Sequence, residues 1–353
     1  MKRLNRYIGQ TVLFSCLVVL LAIIGLDVLF AFVDELKDLN QHYTLDVAVR
    51  YVLLSIPGSV YEFIPLASLV GCLIGLGMLA SSSELTVMRA AGVSKFRIVL
   101  SVSRPVLLLV IVAGLIGEFV VPVTGQQATV EKAKAHSGGR AVGTQYGVWH
   151  REGNWVMHFN AIERNGLVHG LTLYEFNNQR ELLTASFVKE AEYEQGVWKL
   201  QQMRTTHFDG DQTRIVVKPE EHWKSDLKPE FLELLSLAPE DMSVYNLRGF
   251  IAYMNSQGIN AAPHQLAFWS KLMQPLAIFS LVLIAVSFVF GSLRSVTMGQ
   301  RVLVGILVGL VFKFSQDLLG PASTVYGFPP VIAVLTPIGA CILAGFWMLR
   351  RGG

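Results

Sequence analysis

The sequence predicts an α-helical membrane protein with six transmembrane helices and an inserted all-β domain, and three observations predict it. Six apolar stretches, roughly Gly9–Val33, Pro57–Ala80, Ile98–Val121, Leu266–Phe290, Val302–Leu319 and Pro330–Leu349, are each long enough to cross about 30 Å of hydrocarbon. A polar stretch of about Pro122 to Ala262 separates the third from the fourth. Basic residues beside the spans fall on one side when the chain weaves back and forth. The chain therefore divides into residues 1–121 with three spans, 122–262 with the β domain and its connecting segments, and 263–353 with three more.

Composition agrees. Hydrophobic residues make up 52% of the 353 and charged residues only 16%, richer in apolar and poorer in charged residues than a soluble domain. A net charge of +3 is too small to point to nucleic acid. Cys16, Cys72 and Cys341 all fall in apolar spans, so no disulfide can staple the polar middle, which needs a packed core. Lys2, Arg3 and Arg6 before an apolar run mimic a signal peptide. That run is too long for a cleaved segment and no A-x-A follows it, so the first span is permanent.

Lys2, Arg3 and Arg6 flank the first span, and Arg89, Lys95 and Arg97 lie between the second and third. Arg294 and Arg301 lie between the fourth and fifth, and Arg350 and Arg351 follow the sixth. The positive-inside rule puts all of these, with both termini, in the cytoplasm. The Asp34–Arg50 loop, the large domain and the short Gly320–Pro329 loop go to the opposite side.

The inserted domain reads as β. Trp149–Ile162, Leu171–Phe176, Leu182–Tyr193, Val197–Met203 and Thr205–Val217 are short runs bounded by Glu152-Gly153-Asn154, Asn165-Gly166, Asn177-Asn178, Gln195-Gly196 and Asp209-Gly210-Asp211. Spacing of about ten residues favours a sandwich, roll or barrel over βαβ units. Trp149, Trp155, Trp198 and Trp223 are core aromatics in preference to a groove lining. Pro229–Gln257 turns helical, with Pro239-Glu240-Asp241 opening a helix back toward the membrane.

Between the second and third spans lies Ser81–Arg97, too polar to cross a bilayer. Ser81 and Glu84 have the spacing of a capping box, and Gly92 offers a left-handed stop. Leu85, Met88 and Ala91 make one apolar stripe. The expectation is a helix of about ten residues, with Glu84 and Arg89 on its polar face, that docks a soluble partner. The alternative is an interfacial helix lying on the headgroups.

No P-loop, H-E-x-x-H, C-x-x-C or G-x-S-x-G occurs. The histidines show no metal-ligand spacing, and no catalytic constellation stands out, so the chain reads as a non-enzyme without metal. Gly71/Gly75 and Gly305/Gly309 form G-x-x-x-G pairs that serve either packing within the chain or contact with another subunit. Asp27, Glu62 and Glu118 are ionisable residues in the spans. Lys313 and Asp317 are four apart and can pair along one helix face. The sharper reading is an outer-leaflet cavity for a charged lipid headgroup, with Lys37, Lys132 and Lys134 suited to phosphates there.

The whole chain resembles the LptF/LptG permease family of the lipopolysaccharide exporter, and its LptG branch more than its LptF branch. The likeness rests on the layout and on local sequence. Phe32-Val33-Asp34-Glu35-Leu36-Lys37, Leu76-Gly77-Met78-Leu79-Ala80 and Ser83-Glu84-Leu85 carry it in the first half. Trp269-Ser270-Lys271, Gln274-Pro275, Ser287-Phe288-Val289-Phe290-Gly291, Leu293-Arg294-Ser295-Val296, Met298-Gly299, Gly320-Pro321, Val325-Tyr326-Gly327 and Pro329-Pro330 carry it in the second.

The resemblance implies a permease subunit in the bacterial inner membrane that extracts lipopolysaccharide from the outer leaflet. It implies an LptF-like second permease and two copies of an LptB-like ATPase, which hold the ATP and Mg that this chain does not bind. The β domain would be a periplasmic jellyroll meeting LptC-like and LptA-like bridge proteins. Residues 81–92 would be the coupling helix, with Glu84 matching the family's acidic contact to the ATPase. The first and fifth spans would line a lateral gate, and Lys37 matches a basic headgroup position. Ala31 and Asp38 stand where relatives can carry lysine, and Lys132 and Lys134 lie out of register with the family's arginines. The rival expectations are a permease for another amphiphile, such as a lipoprotein, and a receptor whose β domain senses a ligand.

Overall fold

A computed structural model describes residues 2–40, 42–137, 148–162, 167–177, 179–194, 196–210, 212–224, 238–256, 260–290 and 297–351. It divides into two compact units, one of Met1–Leu29, Ile56–Val121 and Ser243–Gly353, the other of Phe30–Ser55 and Pro122–Met242. Among the described residues, six helices are long and apolar enough to cross a membrane, and they contain all six expected spans.

In chain order the helices before the β domain are α1 (Lys2–Lys37), α2 (Leu45–Ser81), α3 (Glu84–Ala90), α4 (Lys95–Leu115) and α5 (Val121–Ser137). A π-helical turn over Ile116–Val120 joins α4 to α5. After the strands come α6 (Val244–Ser256), α7 (Ala262–Phe290), α8 (Met298–Tyr326) and α9 (Pro330–Arg351). The loops between spans are shorter than the sequence suggested. The Asp34–Arg50 loop shrinks to residues 38–44, and the Gly320–Pro329 loop to Gly327–Pro329, where Gly327 ends α8 at φ 73°. Helix continues through Gly320-Pro321, an interruption that membrane helices tolerate. Ser323 and Thr324 hydroxyls donate to the Gly320 and Pro321 carbonyls at 2.6 and 2.8 Å.

In the bundle, α2 and α7 form the core. Buried residues make up 67% and 56% of their most apolar windows, against 6% for α1 and 17% for α8. Both G-x-x-x-G pairs act within the chain. A methyl group on Gly71 would collide with the Cys16 backbone of α1, and one on Gly75 would sit 3.0 Å from the Val12 Cα. Gly305 and Gly309 of α8 instead leave room for the side chains of Leu73 and Leu66 of α2. Without a hydrophobic drive between helices in lipid, close backbone approach supplies the dispersion that holds them. Arg301 is buried, and its guanidinium donates to the Gly77 carbonyl at 2.6 Å, in the last turns of α2. A cation there faces the negative end of the helix dipole.

The second unit contains six antiparallel strands, β1 (Val148–Glu152), β2 (Trp155–Ile162), β3 (Val168–Phe176), β4 (Leu182–Glu194), β5 (Val197–Asp209) and β6 (Gln212–Trp223). They pair strictly in chain order, leaving β1 and β6 as edges among the described residues. The break expected between Met203 and Thr205 does not occur. β5 runs on to Asp209 and the chain turns at Gly210, with φ 61°. Alternate residues Met157 and Phe159, Leu171 and Leu173, and Trp198 and Leu200 face one core. Trp155 and Trp223 pack against it, whereas Trp149 is exposed and stacks on Tyr174 with ring centroids 6.0 Å apart. The expected Asn165-Gly166 turn lies outside the described residues.

Candidate functional site

Helix α3 has seven residues and a different start from the one expected. Ser81 is the last residue of α2, and its hydroxyl donates to the Met78 carbonyl at 2.9 Å. Ser83 holds the cap position at φ 63° with no side-chain cap bond, so the Ser81–Glu84 capping box does not form. The physical reason is competition. Serine hydroxyls at a helix end readily bond the carbonyls three or four residues back. Ser82 does so too, and also donates to Glu84 at 3.0 Å.

The stop matches expectation. Gly92 is left-handed at φ 86°, and its N–H and that of Val93 donate to the carbonyls of Arg89 and Met88 at 3.0 and 3.1 Å. This pair of bonds is a Schellman motif, and Val93 and Met88 make its apolar contact within the bundle core. Leu85 is buried in the same core, and the Arg89 guanidinium lies 5.9 Å from the Phe290 ring centroid. One face of α3 is thus anchored to the bundle. The other presents Val87, which is 66% exposed, with Glu84 half-buried beside Tyr7 of α1. Phe96, at the start of α4, is 75% exposed. An exposed valine one turn from a carboxylate on the free face of α3 suits a partner.

The candidate headgroup residues do not behave alike. Lys37 ends α1 with its side chain exposed, paired with Asp34 at 2.7 Å. Lys132 of α5 is buried, and its ammonium lies 2.7 Å from Glu35 and 3.8 Å from Asp38. It also sits over the rings of Tyr51 and Tyr43, at 4.6 and 5.8 Å. The Tyr43 hydroxyl donates to the other Glu35 oxygen at 2.6 Å. Burial, and then the Glu35 carboxylate, push the Tyr43 pKa well up, so the hydroxyl remains a donor. Lys132 therefore does not stand open to a phosphate as expected, since its charge is neutralised inside the protein. The Lys134 side chain lies outside the described residues.

Lys313 does pair with Asp317, at 3.5 Å, but its shorter contact is to Glu62 of α2 at 2.8 Å. Both partners are about half exposed. Glu118 sits in the π turn and accepts from the backbone N–H groups of Val244 and Tyr245 at 2.7 and 3.2 Å. Ser243 accepts from Asn246 at 3.1 Å, so α6 is capped by Ser243 and Glu118, not opened by Pro239-Glu240-Asp241. Beside the π turn, Lys271 donates to the Gly117 carbonyl at 3.4 Å and Gln274 to the Tyr61 carbonyl at 3.0 Å. Tyr61, Glu118, Lys271 and Gln274 help to line a cavity of about 60 Å³. Among the described residues, no group of three or more His, Cys, Asp or Glu side chains could hold a metal.

Sequence reasoning missed Glu35, Tyr43 and Tyr51. A carboxylate two residues before an exposed lysine was the available signal, because a helix turns about 100° per residue and sets the two on opposite faces.

Residues 6–351 match the family described as lipopolysaccharide export system permease LptF/LptG. The chain is 37% identical to the lipopolysaccharide export system permease protein LptG of Escherichia coli K12, over 99% of this chain and 98% of that one. It is 34% identical to the protein of the same name from Haemophilus influenzae, again over 99% and 98%. With its six apolar helices, its inserted antiparallel sheet and a match that runs almost from end to end, the chain belongs to the LptF/LptG family of lipopolysaccharide export permeases.

Proposed function

We propose that this chain is a permease subunit that lifts lipopolysaccharide out of the outer leaflet of the bacterial inner membrane and passes it to a periplasmic bridge. The full-length family match carries the reading. The energetics support it. Each buried methylene withdrawn from a bilayer costs about 0.8 kcal/mol, so an amphiphile with several acyl chains does not leave thermally. The chain has no P-loop, so the work comes from a separate ATPase that binds ATP and Mg. We assign two LptB-like copies to that role, with an LptF-like permease as the second half.

Helix α3 is the handle. Its buried face ties it to α2 and α7, and its free face offers Val87 and Glu84. The basic residues around it support a cytoplasmic position. The sparsely buried α1 and α8 suit the lateral gate, and a periplasmic β domain, as the positive-inside rule expects, would suit contact with LptC-like and LptA-like bridge proteins. Lys37 suits a headgroup phosphate.

The test is copurification from a strain expressing the chain at native level. The expected companions are an ATPase and a second permease, with lipopolysaccharide identified by mass spectrometry. Glu84→Ala and Val87→Asp should each strip the ATPase from the complex and stop export. Retention of the ATPase with intact export in both variants would refute the handle. A lipoprotein as the only bound amphiphile would refute the substrate.

A further inference from the structure

Glu35 sits at the centre of a buried polar hub that draws on three helices and a loop. It comes from the last turn of α1, Lys132 from α5, Tyr51 from α2 and Tyr43 from the 38–44 loop. The loop folds back to reach it. The Asn40 side chain accepts from the His42 and Tyr43 N–H groups at 2.9 and 2.8 Å, and the Asn40 N–H donates to the Tyr43 carbonyl at 3.0 Å. The Tyr43 side chain is wholly buried as a result. Glu35 has a 10% exposed side chain and Lys37 a 70% exposed one. Two helix positions apart is about 200° around the axis, so holding Glu35 inward aims Lys37 outward.

We propose that Glu35 is a positioning residue which, by binding Lys132 and Tyr43 together, fixes the end of α1 and its loop so that Lys37 meets the anionic headgroup, while Lys132 takes no phosphate itself. This rests on the reading of the chain as a lipopolysaccharide permease. A buried carboxylate or ammonium without its partner is far more damaging than the absence of both, and that asymmetry makes the idea testable.

The test uses the full reconstituted complex with three single or double variants, Lys37→Met, Lys132→Met and Glu35→Gln/Lys132→Met. Two quantities are read, the thermal midpoint and the half-saturating lipid concentration for ATPase stimulation, with lipopolysaccharide and with its enzymatically dephosphorylated form. Lys37→Met should raise half-saturation on the order of tenfold for the phosphorylated lipid alone, with the midpoint unchanged. Lys132→Met should lower the midpoint and raise half-saturation. The double variant should recover both, because the amide introduced by Glu35→Gln still accepts from Tyr43 and no charge is stranded. If the double variant regains the midpoint but keeps weak, phosphate-dependent stimulation, Lys132 is itself a ligand and the proposal fails. If midpoints move and half-saturation never does, the hub is structural only, and the proposal fails again. Should the unsubstituted complex respond equally to both lipids, the substrate reading fails, while recovery of the midpoint still reports the hub separately.

Discussion

Lys132 and Lys313 are chemically the same residue in two different surroundings. Lys132 meets Glu35 with 7% and 10% of the side chains exposed, under two tyrosine rings. Lys313 meets Glu62 at nearly the same distance, 2.8 Å, with both side chains half open. Distance does not separate the two pairs, but burial within the protein does. A pair removed from water has a large desolvation penalty that only complete pairing offsets, whereas an open pair has little to lose. The first pair therefore fixes structure and the second leaves its charges free to exchange partners.

The largest effect should come from Lys132→Met, which strands the Glu35 carboxylate. Thermal unfolding of the purified complex should show a loss of about 3–5 kcal/mol, and a loss under about 1 kcal/mol would erase the contrast. Glu118→Ala comes next. It removes a carboxylate that accepts two backbone N–H groups, and since first-turn N–H groups of a helix can also turn to water, the expected loss is about 1.5–3 kcal/mol in all. Hydrogen exchange should rise first at Val244 and Tyr245. Lys313→Met should cost less than Lys132→Met, because the Glu62 it leaves behind is half open at the bundle surface and not sealed inside the protein. A loss as large as that of Lys132→Met would show that the two sites are alike.

The smallest effect is one of pH. Burial lowers the His158 pKa, so the unfolded chain binds a proton before the folded chain does. The contribution of neutral His158 is complete above the ordinary histidine value of about 6.5, and is lost as pH falls below it. A stability titration of the protein should therefore slope downward toward acid, and His158→Gln should flatten that slope. No flattening would mean that other groups set the acid limb.

Much of the architecture was legible beforehand because its signals are local. A run of about twenty apolar residues is a span whatever surrounds it, and turn residues such as Asn177 and Gly210 punctuate strands without reference to distant neighbours. The stop of α3 at Gly92 belongs to the same class, since a positive φ is a property of one residue. Its start was misread because Ser81 had two local choices, capping forward to Glu84 or bonding back to Met78, and residue spacing alone does not rank them. Nor did spacing show that the glycine pairs serve α1–α2 and α2–α8 packing within the chain.

Sequence by itself determined where the chain crosses hydrocarbon and where it turns to strand, because both follow from short-range periodicity or composition, and residue-by-residue likeness along the chain showed to which family it is similar. Tertiary structure alone decided which lysine faces outward. Lys37 and Lys132 are 95 positions apart and look equally basic, yet Lys37 holds an exposed pair with its neighbour Asp34 while Lys132 is buried against Glu35, from a helix 97 positions away. Electrostatic energy depends on distance and burial in the folded state, and neither quantity exists until distant segments have packed.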